Sequence, residues 1–132
     1  MTDIAASAGH ILIFDEGVSQ NFRFTLTDQD DATIDPNDCI TITMTLYNQE
    51  TAAVINSRDG TNIKGANDAT IASNVLTVRL DAADAAIVDT NLQVGQSEVH
   101  VLRIDYTWSD GQNDRSGRKE YHFRVRNVSA PA

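Results

Sequence analysis

The amino-acid sequence predicts an all-β fold, an antiparallel β-sandwich of about seven strands with one short helical turn near residues 81–89. Three observations predict it. Apolar residues recur with period two in short runs separated by turn-forming clusters, as in strands with one buried face. Only Asp81–Asp89 has helix-favouring composition, with Asp81 placed as an N-cap and alanines behind it. The stretch Glu98–Val128 reads as a single long hairpin. In its first arm Leu102, Ile104, Tyr106 and Trp108 alternate with Val101, Arg103, Asp105 and Thr107, and in its return arm Tyr121, Phe123 and Val125 alternate with His122, Arg124 and Arg126.

The remaining elements follow in chain order. Gly9–Phe14 is a short apolar run that ends at Asp15-Glu16-Gly17. Phe22, Phe24 and Leu26 share one face of the next strand, and the Asp28–Ala32 cluster turns the chain. From Ile40 onward, Ile40, Ile42, Met44 and Leu46 are expected inside, with Thr41, Thr43, Thr45 and Tyr47 outside, where β-branched threonines suit a pleated surface. Ala52–Asn56 is a candidate short strand. Residues 57–68 read as a polar loop with an extended piece at Asn62-Ile63, and Leu76, Val78 and Leu80 mark another strand. Ser109–Gly117 is read as the loop of the final hairpin. The architecture is immunoglobulin-like, without the paired cysteines of antibody domains.

At 132 residues the chain is one domain, 1–132, with residues 1–8 an N-terminal arm and residues 129–132 a C-terminal tail that frays or orders on a partner. Its single cysteine, Cys39, begins an apolar run and is expected to be a buried structural thiol. The N-terminus has no basic start or long apolar stretch of a signal peptide, and no apolar run is long enough to span a membrane, so synthesis in a reducing cytoplasm is expected. The sequon at Asn127-Val128-Ser129 is then accidental.

The net charge of −9 is unevenly distributed. Residues 115–132 carry Arg115, Arg118, Lys119, Arg124 and Arg126 against Glu120, a local +4, leaving −13 on the rest. An acidic body repels nucleic acid and anionic membranes, whereas a basic strand docks on an acidic partner or on a copy of itself. These five residues are the candidate partner interface. A solvated face that discourages edge-to-edge pairing is the simpler alternative.

No constellation specifies a reaction, and no enzymatic activity, metal or cofactor is expected. Asp28, Asp30, Asp31, Asp35 and Asp38 form the densest acidic cluster, yet the segment lacks the central glycine and closing glutamate of a calcium loop. His10, His100 and His122 have no zinc-ligand spacing, His100 being placed as a partly buried histidine and His122 as an exposed one. Nothing forms a nucleophile elbow or a phosphate loop. Tyr121 and Phe123 alternate away from the arginines, so no stacking platform for single-stranded nucleic acid forms.

Four stretches carry a resemblance: Gly17–Asp28, Ile40–Asn48, Leu76–Asp84, and Ile104–Gly111 with Tyr121–Asn127. Together they resemble small immunoglobulin-like β-sandwich proteins of tailed-bacteriophage virions, including the domain at the N-terminus of baseplate upper proteins. The resemblance implies a virion structural protein, assembled in the host cytoplasm. A capsid decoration or cement protein is the leading expectation. It would contact the major capsid protein or another virion protein and form a homo-oligomer, a trimer by analogy with cement proteins. The alternatives are a head–tail or baseplate adaptor and a soluble carbohydrate- or ligand-binding module that uses the acidic loops and exposed Tyr47.

Overall fold

The computed structural model describes residues 3–5, 12–67 and 69–128. It is an all-β sandwich. The strands are β1 (Asp3–Ala5), β2 (Leu12–Asp15), β3 (Gln20–Phe24), β4 (Leu26–Thr27), β5 (Thr33–Ile34), β6 (Thr41–Asn48), β7 (Thr61–Asn62), β8 (Ala69–Ala72), β9 (Val75–Leu80), β10 (Ser97–Ser109) and β11 (Asp114–Arg126). One sheet has the order β1-β3-β9-β8, the other β2-β11-β10-β6-β7, and β4 pairs with β5 as a small separate ribbon. Among the described residues no helix is long and apolar enough to cross a membrane.

The expected periodicity places the core. Phe22 and Phe24 on one sheet, Leu26 on the small ribbon, and Ile42, Met44, Leu46, Leu102, Ile104 and Phe123 on the other sheet are all essentially inaccessible. Aromatic edges bridge the layers, with Phe22 5.0 Å from the Tyr121 ring and 5.2 Å from that of Phe123. Trp108 stacks on Tyr106 at 5.4 Å at one end of this core. Cys39 is buried and free.

Ile40 departs from the expectation, being 50% exposed while Cys39 takes the buried place before it. The cause is a bulge. The Ile40 N–H donates to the Thr107 carbonyl and the Thr41 N–H to Thr107 Oγ1, so two residues oppose one and the alternation slips by one position. The pairing is also not wholly antiparallel. β1 runs parallel to β3, and β2 parallel to β11. Part of the expected N-terminal arm is therefore a sheet edge, while residues 1–2 and 6–8 of it and the 129–132 tail lie outside the described residues.

The hairpin loop is shorter than Ser109–Gly117. Ser109 pairs with Asp114, which leaves only Asp110–Asn113 as the turn. Polar residues 114–117 read as loop because ladder bonds come from backbone and leave no apolar trace in the sequence. Asp110 Oδ1 accepts the N–H groups of Gln112 and Asn113 at 2.9 and 2.7 Å, and Gly111 supplies a positive φ of 97°.

The polar stretch after β6 covers that strand's edge. Val54 bridges Tyr47, the Leu46 N–H donates to the Arg58 carbonyl and Gly60 N–H to Thr45 Oγ1, and β7 completes the pairing. Among the described residues helical structure is confined to two 3-10 turns, Pro36–Asp38 and Ala82–Ala85. Asp81 is the N-cap of the second, as expected, and the Asp84 carboxylate reaches back to its N–H at 2.8 Å.

Candidate interaction surface

Alternation divides the five basic residues of the return arm between two faces. Arg118, Arg124 and Arg126 lie with Glu120 and His122 on the outer face of the five-stranded sheet. Arg115 and Lys119 share the register of the buried Tyr121 and Phe123 at the end where the hairpin outruns the core. The expected single basic stripe is therefore two groups on opposite faces.

Three of the five cations already sit on aspartates. Arg115 Nε is 2.9 Å from Asp110 Oδ2, Arg118 Nε 2.6 Å from Asp105 Oδ1, and Arg126 Nη2 2.6 Å from Asp15 Oδ1. The other two bond hydroxyls: Lys119 Nζ donates to Thr27 Oγ1 at 3.1 Å and Arg124 Nη1 to Ser97 Oγ at 3.3 Å. Backbone donors, then Arg115, hold the Asp110 carboxyl down at about 2.

The outer face of β6, β10 and β11 is laced with cross-strand contacts. The Arg103 guanidinium lies 5.9 Å over the Tyr47 ring and bonds Asp105 at 2.9 Å, so Asp105 is shared between Arg103 and Arg118. The Tyr47 hydroxyl donates to Glu120 Oε2 at 3.3 Å, and burial together with the Glu120 charge raises its pKa. His122 is half-exposed, 3.9 Å from Glu120. Tyr47, expected exposed, is half-buried under Arg103, and Val101, expected to face solvent, is buried between its register partners Tyr47 and His122. Chemically this face is a lattice of opposed charges that fixes strand register.

The acidic segment 28–38 spends its carboxylates on its own backbone. Asp28 Oδ1 accepts from the N–H groups of Asp30 and Ala32, and Asp35 Oδ1 from that of Asn37. Among the described residues no three His, Cys, Asp or Glu side chains are grouped as a metal site. Two concave regions accompany the sheet: a groove of about 700 Å³ between the turn after β6 and residues 88–92, with Arg124 and Glu98 on its walls, and one of about 510 Å³ beside Thr43, Asp105 and Arg118.

Two buried polar clusters escaped the sequence reading. Glu98, on β10 in register with His100 and Leu102, accepts bonds from Asn48 Nδ2 at 3.0 Å, from the N–H groups of Val88 and Asp89 at 2.9 Å each, and from His100 Nε2. The signal was present, because the alternation that buries Leu102 also sends His100 and Glu98 inward. His100 is inaccessible rather than partly buried, and its Nδ1 has no partner. Burial lowers its pKa against the pull of Glu98. Burial alone would raise that of Glu98, but the hydrogen bonds from Asp89, His100, Val88 and Asn48 outweigh it and the net shift is downward. The second cluster is the inaccessible Asp84 carboxylate, which takes Asn56 Nδ2 at 2.8 Å and Arg58 Nε at 3.1 Å. No pattern in the sequence marks it.

No protein-family model matches the chain, and no curated protein matches it. Among solved structures it is similar to the N-terminal domain of phage TP901-1 ORF48, with a TM-score of 0.41 and 10% sequence identity over 96% of this chain and 95% of that one.

Proposed function

We propose that this chain is a non-enzymatic structural component of a tailed-bacteriophage virion, acting through protein–protein contacts as a capsid decoration or cement protein. The observation that carries the reading is where the resembling segments fall. Gly17–Asp28, Ile40–Asn48, Leu76–Asp84 and the two arms of the terminal hairpin lie on β3, β6, β9, β10 and β11, the strands that build both sheets. The charge-laced outer face suits a protein whose work is surface contact, and Arg124, bonded to a hydroxyl and not to a carboxylate, is the outward cation best placed to meet an acidic partner. Partners are the major capsid protein or another virion protein, and copies of the chain itself, with a trimer taken from the resemblance to cement proteins.

The test is stoichiometry in purified particles. A decoration protein is present at a copy number near that of the major shell protein. A dozen copies or fewer makes it a head–tail or baseplate adaptor, and absence from particles removes the virion reading altogether.

A further inference from the structure

We propose that Glu98 and His100 form an acid-sensitive latch that holds the 88–92 segment and the 48–51 turn against the end of the five-stranded sheet, so that proton uptake releases the segment and opens the groove beneath it. The geometry is convergent. Four donors, two of them backbone N–H groups of the segment itself, end on one carboxylate that is 7% exposed. The Asn48 that donates to Glu98 also organises the following turn, its Oδ1 accepting the N–H groups of Glu50 and Thr51. A protonated Glu98 would aim an O–H at a neighbour that is itself a donor, and one of the four bonds would be lost. A protonated His100 would carry an N–H at Nδ1, a position with no acceptor in the closed state.

Beyond Glu98, whose pull on a protonated His100 is outweighed by burial, the surroundings offer no compensation. From β11 the neighbour of His100 is the Phe123 ring, 5.8 Å away, and from β6 its register partner is the neutral Asn48. Besides Glu98, the charged groups at the groove are Glu50, Asp89 and Arg124. The Asp89 carboxylate accepts the Asn91 N–H and Arg124 bonds Ser97, so neither serves the histidine.

Release is local because the two ends of the segment are held differently. The 88–89 end hangs on Glu98, with only Ile87 and Val88 partly packed on the core. The far end is sewn independently to Asn127, the residue after β11, through Gly95 N–H to the Asn127 carbonyl, Asn127 N–H to the Gln96 carbonyl and Asn127 Nδ2 to the Leu92 carbonyl. An open segment admits water to both titrating groups, which then recover ordinary proton affinities. The opening equilibrium rises as pH falls below 6.5, the ordinary value for the histidine, and rises again below 4.5, that for the carboxyl.

The experiment is amide hydrogen exchange on the full chain at pH 7.5 and 5.0, with intrinsic exchange rates divided out. Protection at Val88 and Asp89 is expected to fall by up to about thirtyfold, the ceiling of the single-proton linkage of a group of ordinary pKa near 6.5, while Leu102 and Ile104 stay far more protected than the segment at both pH values. His100→Gln, which retains a donor toward Glu98 but does not titrate, should abolish the change between these two pH values. Unchanged protection at Val88 and Asp89, protection there no lower than that of Leu102, or a His100→Gln protein with the wild-type pH response would each overturn the latch.

Discussion

Gly117 shows how one residue is fixed by its opposite number. It pairs with Tyr106, and a Cβ at position 117 would meet the Tyr106 Cζ and Oη at 2.6 Å. The tyrosine cannot swing away cheaply, since its hydroxyl donates to the Thr27 carbonyl at 2.7 Å and accepts the Thr27 N–H at 3.2 Å. Gly117→Ala is therefore expected to destabilise by about 1–3 kcal/mol in urea denaturation, the range for overpacking a filled site. Ile104→Ala, at the centre of the core, should cost about 2–5 kcal/mol by leaving a cavity. Asp84→Ala should cost about 1–3 kcal/mol, because it removes an inaccessible carboxylate that accepts from Asn56 Nδ2, Arg58 Nε and the Asp81 N–H. Ile104 was visible in the alternating pattern, whereas Gly117 fell in the expected hairpin loop and its pairing with Tyr106 was not. Nor was Asp84, because burial of a carboxylate depends on which segments fold over it.

Within the elements, β11 joins pairing, charge and packing. Its Arg126 neutralises Asp15 on β2, so Arg126→Glu would set two carboxylates against each other across a parallel pair and loosen the sheet edge as well as alter the surface. Arg124→Glu is the cleaner probe of docking, since Arg124 holds only Ser97. It is expected to weaken particle binding in a co-sedimentation assay while the urea midpoint stays within error of wild type, and added salt should weaken the wild-type contact in parallel. Undiminished binding by the Arg124→Glu protein would move the contact to another surface. The basic character of this strand was legible from sequence, but its division between two faces, and the aspartates that absorb three of its charges, came from register with β2, β10 and the hairpin turn.

For the whole molecule, the buried Glu98–His100 pair sets the acid limb of stability. Both groups have folded-state pKa values below their ordinary ones, so the unfolded chain binds protons more readily than the folded one. Unfolding free energy should accordingly be flat above pH 6.5, fall as the pH drops below it, and fall again below 4.5. Urea midpoints measured from pH 8 to pH 4 check this. A stability that rose on acidification to pH 5 would contradict the neutral, buried state of His100.

Period-two alternation by itself determined the all-β class, the buried faces of β3, β6, β9, β10 and β11, and the 3-10 turn begun by Asp81, because a strand's side-chain faces are a local property of the chain. Alternation even pointed Glu98 and His100 inward. Tertiary structure alone decided the rest: the bulge that turns Ile40 outward, the extension of β11 through polar residues 114–117, the parallel placement of β1 and β2, and the partners of each charge. Those features depend on which distant backbone and which distant side chain arrive opposite one another, and a hydrogen bond between strands leaves no mark on the identity of the residues that make it.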